Sequence, residues 1–175
     1  MAITDTHVVF RDLVGADAGA VRDLRLAVIQ TDPATFSTSL DDERSAPTNA
    51  IASMLNGCYR ASDKKALGAF HGDCLVGMAG VDRSGADPTR ARIWGMYVRR
   101  EFRRRGIGGG LMSTLLEFTR TVPGLTSVVL EVAEGSSSAI RLYQRRGFVI
   151  TDSVNRPGGG GDTPPVERRM MLTLS

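Results

Sequence analysis

The sequence is poor in what metal chemistry, secretion and membranes need. Its 175 residues hold two cysteines, Cys58 and Cys74, and two histidines, His7 and His71. Neither cysteine stands in a C-x-x-C pair, and two alone make no disulfide framework. Both are expected as reduced thiols. The same shortage leaves no zinc or iron site of familiar spacing, so no metal is expected. No apolar run is long enough to cross a bilayer. The opening MAITDTHVVF lacks the basic start and apolar stretch of a secretory signal. A cytoplasmic protein without a membrane partner is expected. Lysine is nearly missing: Lys64 and Lys65 are the only two, so the basic side is arginine. The net charge of +3 is too small to indicate nucleic-acid binding. Apart from Phe102, no aromatic residue interleaves with the clustered arginines, where single-strand binding needs stacking platforms. No nucleic-acid partner is expected.

What is present fits one domain over residues 1–175 with room for a sizeable core. The composition, 42% hydrophobic and 23% charged, is that of a globular protein. A short strand is predicted over His7–Asp12 and a helix over about Asp17–Gln30, with Val21, Leu24, Leu26 and Val28 on its apolar side. Pro33 breaks that helix. Asp32–Ser45 is polar and is predicted irregular, and a second helix follows Pro47. Ala66–His71 and Leu75–Val81 flank Gly72-Asp73 and read as a hairpin. Ala91–Val98 is a further strand. Ile107, Leu111, Leu115, Phe118 and Val122 step at helical spacing until Pro123-Gly124. Thr126–Val132 is an apolar strand fit for the middle of a sheet. Ser136–Arg146 is a short helix, with a serine run for its N-cap and Gly147 for its C-terminal cap. Phe148–Ser153 and Val166–Leu174 are the last strands, around a glycine-rich loop from Asn155 to Pro165. The order describes a mixed α/β layered fold.

The stretch from Val98 to Leu111, VRREFRRRGIGGGL, carries the chemistry. A strand ends, a turn rich in Arg and Gly follows, and a helix begins. The first N–H groups of a helix have no partner within it and carry partial positive charge, which makes an anion site. Gly106 and Gly108 let a ligand come close to the backbone. Arg103, Arg104 and Arg105 add charge there. Each glycine within a helix costs about 1 kcal/mol against alanine, so a helix opening on Gly108-Gly109-Gly110 breaks a local rule, as functional sites tend to. The P-loop pattern is absent. The dinucleotide fingerprint is unmatched, since Gly106-Ile107-Gly108-Gly109-Gly110-Leu111 ends in Leu.

These residues resemble the acetyl-CoA signature of the GNAT superfamily of N-acetyltransferases. The family's [QR]-x-x-G-x-[GA] falls on Arg103, Gly106 and Gly108. Ser138–Phe148, SAIRLYQRRGF, is similar to its A-x-x-L-Y-x-x-x-G-F. Thr35–Glu43 is similar to the connection on the acceptor side. The resemblance covers nearly the whole chain. It implies a mixed, mostly antiparallel twisted sheet of about seven strands with helices on both faces. It implies acetyl-CoA as co-substrate and an amine acceptor that attacks the thioester directly. The backbone from Arg104 to Gly109, with Ile107 inside it, is expected to hold the pyrophosphate. Met96, Tyr97 and Val98 are expected along the pantetheine arm. Tyr143 is expected to protonate the leaving thiolate. The family's usual glutamate on the fourth strand is missing from Ala91–Val98; Glu131 is the best substitute as base and Glu43 another. Ser136 stands where many members have Asn. Arg99 and Arg100 are read as facing water or the 3′-phosphate. A homodimer is possible by analogy. The alternative is an acyl-CoA sensor that does not turn over.

Overall fold

The structure, a computed structural model, describes residues 7–32, 40–83, 85–155 and 166–175. Strand β1 (Val8–Asp12) leads to α1 (Ala18–Thr31), α2 (Leu40–Ser45) and α3 (Thr48–Arg60). Strands β2 (Lys65–His71), β3 (Cys74–Arg83) and β4 (Arg90–Val98) follow, then α4 (Ile107–Thr121), β5 (Ser127–Ala133), α5 (Ser137–Gln144), β6 (Val149–Asn155) and β7 (Val166–Thr173). The strands form one sheet in the order β1-β2-β3-β4-β5-β7-β6. Every pairing is antiparallel except β4 with β5, the one expected of a strand–helix–strand crossover. The seven strands and mostly antiparallel pairing match the expected architecture.

Period-two alternation in the strands builds two cores on opposite faces. Leu67 and Ala69 of β2 pack with Leu111, Met112 and Leu115 of α4, and with Leu130 and Met170. Ala66 and Phe70, which flank them on the strand, pack with Val21, Leu24 and Val28 of α1 and with Leu55 of α3. The β2–β3 hairpin turns on Gly72, whose φ of 58° is the left-handed conformation glycine allows.

Two expectations need correction. The stretch Asp32–Ser45 was predicted irregular, but its end from Leu40 is the helix α2; Pro33 and residues 34–39 lie outside the described residues. Most of the glycine-rich loop, residues 156–165, lies outside them too. Glu43 of α2, a candidate base, is 2% exposed because it is held by Arg25 of α1. Arg25 Nε and Nη2 donate to its two oxygens, each at 2.7 Å. A bidentate pair of this kind fixes a helix, not a substrate.

Removing the arginine strands a buried carboxylate. Arg25→Ala is therefore expected to destabilise the fold by about 2–4 kcal/mol, read from the urea unfolding midpoint. A loss of only about 0–1 kcal/mol would place the pair among ordinary surface ion pairs and refute this account of α2.

Candidate active site

The site begins where β4 leaves β5. The two strands pair only at Arg90↔Ser127, Ala91↔Val128 and Arg92↔Val129. Beyond Arg92 they diverge for a local reason. On its other side β4 pairs Gly80↔Trp94 and then Met78↔Tyr97, so Gly95 and Met96 together oppose Ala79 alone. This is a β-bulge, and Gly95 takes the positive φ of 61° that such a bulge asks of glycine. Trp94 folds back over Gly80, where a Cβ would meet its ring at 2.2 Å. The β4 edge from Ile93 onward faces β5 without a ladder partner there.

A cavity of about 460 Å3 lies at the start of α4. The loop entering it is held by its own arginines. Arg103 Nε donates to the Val98 carbonyl at 3.0 Å, and its guanidinium lies 3.7 Å from Asp32. Arg104 is the one non-glycine residue among those described with positive φ, 64°, and Gly106 follows at 80°. Non-glycine residues rarely sit there, and such strain gathers at functional turns. The first bond within α4 runs from the Gly110 amide to the Gly106 carbonyl, 2.9 Å. The amides of Ile107, Gly108 and Gly109 are therefore those the helix leaves open.

The cavity wall includes Met96, Tyr97, Val98, Arg103 and Arg104, with Gly106, Ile107, Gly108, Gly109 and Ser136. Of the residues expected to contact the cofactor, only Arg105 is away from this wall; its guanidinium lies 5.2 Å over the Phe102 ring. Arg99 is half-buried and its Nε donates to the Leu75 carbonyl at 3.1 Å, while Arg100 is exposed. Ser136 is the N-cap residue of α5, but its hydroxyl makes no capping bond. The serine run thus supplies the N-cap residue, as expected, but without a side-chain bond. Gly147 ends the helix at a φ of 90°, as expected.

The glycine run has a packing cause as well as an open helix end. A Cβ on Gly110 would lie 2.4 Å from the Phe10 ring of β1. Arg146 Nη2 donates to the Gly109 carbonyl at 3.0 Å, and Nη1 bonds Ser113 Oγ. Gly108, in the cavity wall, has a soft neighbour: its Cβ would meet Leu142 Cδ2 at 3.3 Å.

A second cavity, about 330 Å3, lies along the divergence of β4 and β5. It shares Met96, Tyr97, Ser136, Ala139 and Tyr143 with the first, so the two meet at those side chains. Tyr143 is 5% exposed and packs against Phe148 with ring centroids 6.1 Å apart. Burial pushes its phenol well above the ordinary tyrosine value, and Tyr97 pushes in the same direction. The phenol is thus held protonated. Two carboxylates reach the second cavity. Glu131 is on its wall, but the side chain is 41% exposed and accepts from Arg169 Nε and Nη2 at 3.2 and 2.8 Å. Glu167 of β7 is 5% exposed and was not singled out from the sequence. Glu43 does not reach this cavity.

Residues 27–148 match the model of the Acetyltransferase (GNAT) family. Human N-acetyltransferase 8 is 31% identical over 106 residues, 59% of this chain and 44% of its own length. The chain thus spans less than half of that curated relative. Among solved structures, a GNAT-family acetyltransferase from Streptococcus pneumoniae superposes with a TM-score of 0.82 at 21% identity, over 96% of this chain and 100% of that one. The yncA protein of Salmonella typhimurium, solved with its cofactor acetyl-CoA, gives 0.80 at 17% identity, over 97% and 95%. Superpositions at such low identity carry the fold alone. The family match runs from within α1 through the glycine turn and the Tyr143 helix to Phe148, and by it the chain belongs to the GNAT acetyltransferase family.

Proposed function

We propose that the protein transfers an acetyl group from acetyl-CoA to a primary amine of a small molecule or a protein, by direct attack. The observation that carries this reading is the meeting of two cavities at Tyr143 and the β4 edge that β5 has left. One cavity has the chemistry for a phosphate-bearing thioester, and the other reaches the same point from the acceptor side. The open amides of Ile107, Gly108 and Gly109 hold the pyrophosphate, with Arg103 and Arg104 beside them. The backbone of Met96–Val98, on the side of β4 that β5 has left, takes the pantetheine arm as an added strand would be taken. The amine nitrogen bonds to the acetyl carbon, the carbon–sulfur bond breaks, and Tyr143 gives its proton to the thiolate.

The test is thermal unfolding with acetyl-CoA, with NAD and ATP as controls. Ligand at about 100 times its dissociation constant adds roughly 2.7 kcal/mol, which for a chain of this size is about 5–10 °C in Tm. A rise with acetyl-CoA alone supports the reading. No rise, or an equal rise with ATP, would remove its foundation.

A further inference from the structure

The acceptor amine must lose a proton, and β4 offers no acid to take it. We infer that Glu167 of β7 binds the acceptor's ammonium group and takes its proton before attack. This rests on the acetyl-transfer reading above.

Three observations converge on Glu167. First, it lines the acceptor-side cavity, whose wall also includes Tyr143. Second, it is 5% exposed, whereas the Glu131 side chain is 41% exposed. Third, the register places it opposite Ala133 of β5 and Val154 of β6, so its cross-strand neighbours are apolar. A carboxylate so little exposed to water attracts a cation more strongly than one at the surface. Glu131 Oε1 already accepts two bonds from Arg169.

Arg92 of β4, Tyr97 and Tyr143 line the same cavity, as does Glu131. Along its own strand, Arg168 bonds Glu134 and Ser153, while Arg169 bonds Glu131.

Protons and bonds balance. The ammonium gives one proton to Glu167, which later passes it to solvent. The free amine forms the carbon–nitrogen bond as the carbon–sulfur bond breaks. The thiolate takes the Tyr143 proton, and the proton shed by the new amide nitrogen restores the phenol. The products are the amide, free CoA thiol and one proton in solvent.

The experiment follows thiol release from acetyl-CoA with three probes: n-butylamine, spermidine and a tetrapeptide with a free α-amine. Glu167→Gln is expected to lower kcat/KM by about 10²–10⁴-fold at pH 7, with acetyl-CoA affinity unchanged. The variant depends on amine already free in solution, whose share rises tenfold per pH unit up to the amine's own pKa. Its deficit therefore narrows with pH. For the peptide, whose α-amine titrates near 8, the narrowing stops about two units earlier than for butylamine, near 10.4. A purely structural role would give no such dependence on the probe. If Glu167→Gln fails to bind acetyl-CoA, Glu167→Asp replaces it. About a tenfold loss with the wild-type pH profile then supports the assignment, and a wild-type rate overturns it. Equal rates for Glu167→Gln and wild type, or a deficit that is the same at every pH and for every probe, overturn it as well. Wild-type protein that binds acetyl-CoA yet releases thiol with none of the probes overturns the amine-acceptor reading itself, and this inference with it.

Discussion

Tyr143→Phe is expected to lower kcat about 10²–10⁴-fold while leaving acetyl-CoA affinity nearly unchanged. The ring stays in its place against Phe148, so the walls of both cavities keep their shape. Only the proton for the leaving thiolate is lost. Burial holds the phenol above its ordinary pKa, and on its own that makes it a weaker acid. The same burial keeps the proton on the phenol, so that there is one to give. The direction of the shift fixes the sign of the pH dependence. A group needed in its protonated form fails as pH rises through its pKa, and here that pKa is raised. Wild-type activity therefore shows no alkaline loss from Tyr143 at neutral or mildly basic pH. A Tyr143→Phe rate within about threefold of wild type would mean that water serves as the acid.

The glycine turn and the Tyr143 helix were legible in the sequence because their chemistry is local. A strand end, a left-handed Gly106 and three open amides lie within a few residues of one another. The short helix places Ala139, Leu142 and Tyr143 on one cavity wall by its own periodicity. Both motifs can be recognised without knowing what pairs with what. The strand count was legible for the same reason, since each strand and each helix is recognisable from its own residues and the turns that bound it.

Glu167 was not legible because its place depends on a distant pairing. In Val166-Glu167-Arg168-Arg169-Met170 the charges read as the outer face of a last strand. Only the ladder that sets Glu167 opposite Ala133, 34 positions earlier, brings it to the cavity. Glu43 failed in the opposite direction. An acidic run after a proline reads as solvated chain, and the partner that buries it, Arg25, belongs to another helix. The glycine run was read as an anion site throughout, whereas Gly110 is needed for Phe10 to pack. Glycine marks a close approach, but the sequence does not say whether a ligand or a phenyl ring approaches.

That ambiguity is resolved at Gly108, where binding and stability should respond in opposite directions. Gly108→Asp is expected to weaken acetyl-CoA binding about 100- to 1,000-fold, because a carboxylate then stands where the pyrophosphate charge binds, at a cost of several kcal/mol. The same substitution should leave the fold as stable as before or slightly more so. Gly108 is the second residue of α4, where an acid suits the helix dipole and any side chain improves on glycine. The new Cβ meets only the end of the flexible Leu142 side chain, at 3.3 Å. Gly108→Ala, which adds the methyl without the charge, should lose far less affinity. Titration calorimetry with acetyl-CoA and urea unfolding of the three proteins separate the two effects. Loss of affinity with retained stability locates the anion site at the open end of α4. Unchanged affinity in Gly108→Asp would remove the pyrophosphate from this helix, whatever the rest of the cavity resembles.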